Sequence, residues 1–202
     1  MIAAWLGPGG DEFALAFDRG REQRVLVLPA LFDEANKLRH FTVEVMRLLD
    51  AAGIDTVLPD LPGCNESLSP LEAQTLAGWQ LAGEAAAAHF GASLVLAIRA
   101  GALCAPAGLP AIRYAPANGA TLLRALLRAR IIASKEAGIE EEREALLVRG
   151  RSEGLELAGY RLGAQMVREL ERAEPAGTAL ASIAQGDLGG PGLWLRAEPA
   201  HS

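Results

Sequence analysis

An arginine, Arg99, stands where the surrounding sequence predicts a catalytic nucleophile. Residues 94–103 read LVLAIRAGAL, which predicts a buried strand, a sharp turn and then a helix of small residues. In the pattern G-x-S-x-G, a turn of this kind exposes a nucleophilic serine for acyl transfer. Here the pattern reads Ala97-x-Arg99-x-Gly101. The turn therefore indicates a hydrolytic scaffold that lacks the serine on which serine hydrolysis depends.

An arginine at such a turn suits the recognition of an anion. We expect the turn to project the Arg99 side chain over the carboxyl end of the sheet, at the N-terminus of the next helix, where N–H groups and the helix dipole favour negative charge. The guanidinium adds a planar fork that matches a carboxylate or a phosphate. Asn36, Lys37 and Arg39 follow an earlier predicted strand, and we expect them to converge on Arg99.

A second role for Arg99 stays open beside anion binding. Its guanidinium could form an internal salt bridge with Asp33, Glu34 or Asp60, each of which follows a predicted strand. Such a salt bridge would close the pocket and leave no charge for a ligand. The sequence alone does not choose between these two roles.

Cys64 and Ser67 are the remaining candidates for a nucleophile. Both lie in the loop sequence PDLPGCNES, which follows a predicted strand. A serine hydrolase built on such a turn orders its triad as Ser, then Asp or Glu, then His. His40 and His89 precede the turn, and His201, which follows it, is the penultimate residue. No histidine is therefore well placed to activate either candidate, and we expect Ser67 to serve the loop itself.

The composition bounds the class of protein. The chain has 202 residues, 50% of them hydrophobic, and a net charge of −6. Its length suits one domain spanning 1–202, and its negative charge argues against a nucleic-acid partner. Two cysteines, Cys64 and Cys104, are too few for a zinc site, so we expect no metal and no cofactor. We expect a cytoplasmic protein, since no stretch reads as a signal peptide or a bilayer span.

Strand and helix signals alternate along the chain. We predict strands at 12–17, 24–31, 54–58, 92–98, 112–115 and 193–196, a strand and turn at 154–162, and helices near 41–49, 71–90, 121–137, 139–148 and 164–173. Buried strands that alternate with helices favour right-handed βαβ units. The predicted fold is therefore α/β, with a mostly parallel sheet flanked by helices. Ligands on such sheets bind at the carboxyl ends of the strands.

Three segments, taken in order, resemble the α/β-hydrolase superfamily. Pro29-Ala30 stands where an oxyanion loop usually opens with His-Gly. The segment PDLPGCNES resembles the loop D-x-x-G-x-G-x-S, with Asn65 at the second glycine; asparagine tolerates positive φ better than most residues. The third segment is the turn at Arg99. The resemblance implies a trimmed hydrolase fold, because the chain is short for the late strands that carry the acid and histidine of a triad.

More narrowly, the chain is similar to the hydrolase-like proteins encoded beside exosortase A systems, the set named exosortase A system-associated hydrolase 2. The segments that carry this resemblance are 29–39 with its core Glu34-x-Asn36-Lys37, 58–67, the turn at Arg99, and 155–162 with Ala158-Gly159-Tyr160. It covers most of the chain and implies a setting in exopolysaccharide production. The predicted function is to bind an anionic small molecule, or a protein of that pathway, without catalysis.

The function classes that stay open differ in their residues. For a binding protein, the candidate residues are Arg99, Asn36, Lys37, Arg39 and Asp60. For the alternative, an active hydrolase or acyl transferase acting on an ester or thioester, the nucleophile would be Cys64 or Ser67, with Arg99 stabilising an oxyanion. A homodimer is compatible with either class.

Overall fold

The structure is a computed structural model that describes residues 1–188, and one large sheet organises them. The strands are β1 (Ile2–Gly7), β2 (Gly10–Phe17), β3 (Arg24–Leu28), β4 (Asp55–Pro59), β5 (Leu94–Ile98), β6 (Pro110–Tyr114), β7 (Leu155–Leu157), β8 (Tyr160–Leu162) and β9 (Thr178–Ile183). The α-helices are α1 (Asp33–Ala51), α2 (Leu76–Phe90), α3 (Gly119–Glu136), α4 (Arg143–Glu153) and α5 (Ala164–Leu170). Seven strands form the sheet in the order β1-β2-β4-β3-β5-β6-β9, and β7 and β8 form a separate hairpin.

The large sheet is parallel except at one edge. β3 pairs in parallel with β4 and β5, β5 pairs with β6, and β6 pairs with β9. β1 and β2 form an antiparallel hairpin that joins the sheet through β4. Apolar clusters lie on both faces of this sheet, where the helices pack. The predicted α/β fold with a mostly parallel sheet is confirmed.

Apolar side chains pack on both faces of the sheet, because successive residues of β3 point to opposite faces and are buried there. On one face, Leu26 and Leu28 join Trp79 of α2 in the larger cluster. On the other face, Val27 packs in a cluster with Met46 of α1. Each side chain of this size stabilises the fold by about 1.5–3 kcal/mol when it is fully buried. The two layers fix the carboxyl ends of β3, β4 and β5, where the candidate residues lie.

Several local predictions differ from the structure. Arg99–Cys104 is a short 3₁₀ helix, so the predicted α-helix N-terminus after the turn is wrong. α2 begins at Leu76 and not at residue 71, because the Thr75 hydroxyl caps it by accepting a hydrogen bond from the Gly78 N–H at 2.9 Å. The sequence pattern predicts neither β1 nor β9. The strand predicted at 193–196 lies outside the described residues.

The hairpin β7–β8 places Tyr160 over the end of the sheet. Its two-residue loop, Ala158-Gly159, has φ values of 49° and 83°, and positive φ at both positions is what a type I′ turn requires. Leu157 and Leu162, which flank the loop region, are buried in the core. The ring of Tyr160 consequently contacts Phe32, with the two ring centroids 5.3 Å apart.

Candidate functional site

The turn after β5 has the shape of a nucleophile elbow, although it carries an arginine. Arg99 has a φ of 53°, in the left-handed region that side-chain-bearing residues rarely adopt. Gly101 lies so close to the end of β3 that a Cβ there would stand 2.2 Å from the Pro29 carbonyl oxygen. Only glycine fits such a close approach of two backbone segments. The turn is therefore built around Gly101, and Arg99 stands at the carboxyl edge of the sheet.

The Arg99 guanidinium is held by groups of the protein itself. Its Nε and Nη2 donate hydrogen bonds to Oε2 and Oε1 of Glu34, at 3.2 and 3.0 Å. Its Nη1 donates to the Ala115 carbonyl oxygen at 2.9 Å. The two side chains of this bidentate ion pair are only 20% and 26% exposed. Of the two roles that the sequence leaves open, this geometry favours the internal salt bridge, with Glu34 as its partner.

The structure does not bring the other predicted cations together at Arg99. α1 begins at residue 33, so the run that follows is helical, and successive side chains on a helix point about 100° apart. Asn36 faces the β7–β8 hairpin, Lys37 forms an exposed ion pair with Asp33, and Arg39 faces the loop after β4. The positive charges of this segment consequently lie on different sides of α1.

Asp60, the last of the predicted binding residues, is engaged within its own loop. Its Oδ1 accepts a hydrogen bond from the Asn65 side-chain amide at 2.6 Å. Asn65 has a φ of 49°, as its place in the hydrolase-like loop pattern predicts. Burial raises the pKa of Asp60, while the Asn65 hydrogen bond and the charge of Arg39 oppose that shift. The carboxyl group therefore organises the loop and does not face Arg99.

Ser67 also makes the contacts of a loop residue. Its hydroxyl donates a hydrogen bond to Oε1 of Glu12 at 2.9 Å and accepts one from the Gly63 N–H at 2.8 Å. Glu12 is 1% exposed, and burial raises the pKa of this carboxyl group. It also accepts a hydrogen bond from the Ser69 N–H at 3.3 Å. A hydroxyl group held by three partners in this way is directed at the loop and not at a substrate.

A cavity of about 230 Å³ opens at the carboxyl ends of β3 and β4. The segment 29–32, the loop after β4 and the β7–β8 hairpin supply its walls, which are mostly apolar. Its polar groups are the side chains of Asn36, Cys64, Asn65 and Tyr160. We call it the Tyr160 cavity. None of its polar side chains carries a formal charge at neutral pH, so it differs from the anion site that the sequence predicts.

Phe32 and Tyr160 shape this cavity, and the sequence analysis assigns neither of them a role. Phe32 has a φ of 55°, and its ring lies 5.5 Å from that of Trp79 and 5.3 Å from that of Tyr160, between centroids. The Tyr160 hydroxyl accepts a hydrogen bond from the Asn36 amide at 3.2 Å. Burial raises the pKa of Tyr160. The A-G-Y segment was the sequence signal for Tyr160; Phe32 has no comparable signal.

Cys64 lines the Tyr160 cavity but is not activated as a nucleophile. Burial raises the pKa of its thiol to about 12, and the nearby carboxyl groups of Asp60 and Glu12 act in the same direction. Such a thiol is almost wholly protonated at neutral pH, whereas catalysis needs the thiolate. Cys104 is fully buried, and burial raises its pKa as well. His201, considered above as a base, lies outside the described residues.

A smaller cavity, of about 120 Å³, lies beside the elbow and is called here the Arg99 cavity. Residues of α3, among them Thr121 and Leu122, form one wall, and the Arg99–Glu34 pair forms another. Leu31 lines both cavities and separates them. An anion that entered here would meet a guanidinium group whose charge Glu34 already neutralises.

The described residues offer neither a metal cluster nor a membrane helix. Within residues 1–188, no three side chains of His, Cys, Asp or Glu lie close enough together to hold a metal ion. The helices in this part of the chain lack the length and apolar character needed to cross a bilayer.

Comparison with known proteins identifies the fold. No family model and no curated protein matches the sequence, but solved structures do match. Mouse α/β hydrolase domain-containing protein 10 aligns with a TM-score of 0.55 and 13% identity, over 85% of this chain and 69% of that one. Est1E from Butyrivibrio proteoclasticus, solved with ferulic acid, aligns with a TM-score of 0.51 and 15% identity, over 81% and 68% of the two chains. The chain has an α/β-hydrolase fold.

The alignments cover only part of several of the solved structures. The chain spans 60% of the length of a solved protein from Agrobacterium vitis S4 and 42% of the length of the epoxide hydrolase CorEH. At 12–18% identity, these likenesses concern the fold alone. An α/β-hydrolase fold does not by itself imply hydrolysis, because the reaction depends on the residues of the site.

Proposed function

We propose that this chain is a binding protein built on an α/β-hydrolase fold, and that its ligand occupies the Tyr160 cavity. The observation that carries the proposal is the state of the elbow. Arg99 replaces the nucleophile, and its side chain is fastened to Glu34 and to Ala115. An arginine cannot act as a nucleophile, because its guanidinium stays protonated in proteins. Such a site can bind a ligand, although it has no nucleophile with which to react.

The position and size of the Tyr160 cavity support a small ligand. The cavity lies at the carboxyl ends of β3 and β4, where open α/β sheets bind their ligands. Its volume of about 230 Å³ is below the roughly 300 Å³ at which pockets for drug-sized molecules begin. The ligand, or the part of it that enters, is therefore small and mostly apolar.

The polar side chains of the cavity suit a neutral polar end on that ligand. Asn36 and Asn65 each offer an amide, and Tyr160 offers a hydroxyl group, so a carbonyl or hydroxyl group of the ligand would find both donors and acceptors. The anionic ligand predicted from the sequence is a competing form of the proposal. It requires the ligand carboxylate or phosphate to replace Glu34 at Arg99, within the Arg99 cavity.

The resemblance of the Glu34-x-Asn36-Lys37 and Ala158-Gly159-Tyr160 segments supports a setting for this binding. The first segment contacts both the second segment and the elbow. Asn36 hydrogen-bonds to Tyr160 of the second segment, and Glu34 hydrogen-bonds to Arg99 at the elbow. We therefore extend the proposal to a ligand or partner protein from an exosortase or exopolysaccharide pathway, acting without catalysis.

Two probes of matched shape test the ligand class. Benzamide is neutral and benzoate is an anion, and each is titrated into the ¹⁵N-labelled protein while amide shifts are followed. We expect benzamide to shift the amides of 29–36 and 158–160, and the Tyr160→Ala variant to lose that response. Benzoate binding that disappears in Arg99→Ala would support the anionic form instead. If neither probe shifts these amides at millimolar concentration, the binding proposal fails.

The presence of Cys64 in the cavity wall favours one alternative, an active hydrolase or acyl transferase with an unusual nucleophile. A panel of esters and thioesters, together with fluorophosphonate and iodoacetamide labelling, tests it. With a pKa of about 12, Cys64 should react at pH 8 about a thousandfold more slowly than a free cysteine. Turnover that is lost in Cys64→Ala or Ser67→Ala would establish an enzyme and overturn the binding proposal.

A further inference from the structure

The β1–β2 hairpin forms one edge of the sheet, and no other strand among residues 1–188 pairs with that edge. β1 is the first strand in the sheet order and, within residues 1–188, pairs only with β2. Its inner face is anchored by Trp5, which is 2% exposed. The side chains of Ile2 and Leu6 on the opposite face are 76% and 68% exposed.

The register of the hairpin shows which backbone groups point outward. Met1 and Ala16 exchange both of their backbone hydrogen bonds, each at 2.8 Å. In an antiparallel pair, hydrogen-bonded and non-hydrogen-bonded residue pairs alternate. The odd-numbered residues of β1 therefore point their N–H and C=O groups at β2. Those of Ile2, Ala4 and Leu6 point away from it, at the free edge.

The chemistry of this edge lacks the usual protection against pairing. Exposed edge strands generally carry charges or proline that prevent another strand from adding to them. β1 reads IAAWLG and has neither. The apolar surface continues onto β2, where Phe13 lies in register with Ala4 and is 39% exposed.

We propose that β1 of a second copy of this chain pairs antiparallel with β1, about a two-fold axis at Ala4. In that register Ala4 faces Ala4 of the second copy, and Ile2 faces its Leu6. The three residues with outward N–H and C=O groups on each copy then meet one another as hydrogen-bonded pairs. The two sheets join into one continuous sheet.

Self-complementarity favours a second copy over a foreign strand. A two-fold axis brings identical residues together, so a charged or bulky residue at the axis would be repelled or would clash. Here the residue at the axis is the small, uncharged Ala4, and its neighbours on either side are apolar. This inference is independent of the proposed ligand, because the edge lies outside both cavities.

The test is sedimentation of the full chain over a range of concentrations, with three variants. Leu6→Lys places a charge opposite Ile2 of the second copy and removes both Ile–Leu pairs, so it should raise the dimer dissociation constant about tenfold or more. Ala4→Pro removes an outward N–H that binds nothing in the hairpin, so it should weaken the dimer while leaving the thermal unfolding of the dilute monomer nearly unchanged. Leu180→Lys is the matched control, since Leu180 is 65% exposed on β9, the opposite edge strand. It should have no effect.

Three results would overturn the proposal. The first is a wild-type chain that stays monomeric while the amides of Ile2, Ala4 and Leu6 exchange freely with solvent. The second is a monomer in which these amides are protected, since another occupant would then cover the edge. The third is a dimer that Leu180→Lys disrupts and Leu6→Lys does not, because the interface would then lie at β9.

Discussion

The two cavities on either side of Leu31 satisfy their polar groups in different ways. In the Arg99 cavity, opposite charges neutralise each other: Arg99 binds Glu34 through two hydrogen bonds and Ala115 through a third. In the Tyr160 cavity, the polar groups are amides, a phenol and a protonated thiol, and they leave an open volume of about 230 Å³. One cavity, of about 120 Å³, is lined by an ion pair, and the other, of about 230 Å³, is lined by neutral polar groups.

The difference shows what an arginine at the elbow position demands of the surrounding structure. A serine hydroxyl can face an empty pocket, but a permanently charged guanidinium in a partly buried turn needs a counter-charge. Glu34 of α1 supplies it, and the ion pair then occupies the space above the elbow. Neutral groups impose no such requirement, because leaving them facing a solvated cavity costs far less. The larger of these two cavities is accordingly the one without charged side chains.

The first prediction concerns a substitution that disrupts the elbow, on which both cavities depend. Gly101→Ala should lower the free energy of unfolding by about 2–4 kcal/mol, because the new Cβ would stand 2.2 Å from the Pro29 carbonyl oxygen. Gly108→Ala is the control, since a Cβ at Gly108 meets nothing within 4 Å. Urea unfolding measures both. Equal stability of the two variants would mean that β3 and the elbow are not in close contact.

The second prediction concerns the ion pair that lines the Arg99 cavity. Arg99→Ala or Glu34→Ala should each cost about 1–3 kcal/mol, because each leaves a partly buried charge without its partner. A double-mutant cycle should give a coupling of about 1–2 kcal/mol. The same cycle on the exposed Lys37–Asp33 pair should give no more than about 0.5 kcal/mol. Equal coupling energies for the two pairs would show that the Arg99–Glu34 pair is no stronger than an ion pair on the surface.

The parallel strands could be predicted because their residues are apolar on both faces, as in residues 24–28 and 94–98. β1 and β9 could not, for a physical reason. Both are rich in alanine, which has little β-propensity, and β9 is exposed along nearly its whole length. Neither sequence, IAAWLG or TALASI, therefore shows the alternation of apolar and polar residues that indicates a strand. Their pairing depends on neighbouring strands that are distant in the chain.

The site was predictable in its parts and not in its arrangement. The elbow and the loop pattern follow from segments that the sequence displays. The sequence names Glu34 only as one of three possible partners of Arg99, and the structure selects it. The convergence of Asn36, Lys37 and Arg39 does not occur, because α1 begins at residue 33 and the helix turns these side chains apart. The start of α1 follows Phe32, whose φ of 55° no local sequence rule predicts.

The third prediction concerns Glu12, whose buried carboxyl group lies beneath the loop that forms one wall of the Tyr160 cavity. Burial raises the pKa of Glu12 in the folded state above its unfolded value. Its contribution to stability is therefore complete at pH below the unfolded pKa and is lost as pH rises through the folded pKa. Glu12→Gln should stay within about 1 kcal/mol of wild type at low pH and gain stability relative to it as pH rises.

Urea unfolding at several pH values measures this effect. Asp11→Asn is the control, because Asp11 lies beside Glu12 but on the exposed side of β2, and its substitution should leave the pH dependence as it is in wild type. A Glu12→Gln variant whose stability follows the wild-type pH profile would show that Glu12 is not the group responsible. The wall of the Tyr160 cavity would then not depend on the protonation of the Glu12 carboxyl group.

The smallest expected effect on stability comes from the Tyr160 hydroxyl group. Tyr160→Phe should cost about 0.5 kcal/mol, because it removes one hydrogen bond from an Asn36 amide that can turn to water. Tyr160→Ala should cost more, about 2 kcal/mol, because it also removes the ring that packs against Phe32.

In the benzamide titration, the ring contributes to the cavity wall and the hydroxyl contributes a polar contact. Tyr160→Phe should therefore weaken binding without abolishing it. A Phe variant that binds as well as wild type would assign recognition to Asn36 and Asn65 and leave Tyr160 with the wall alone.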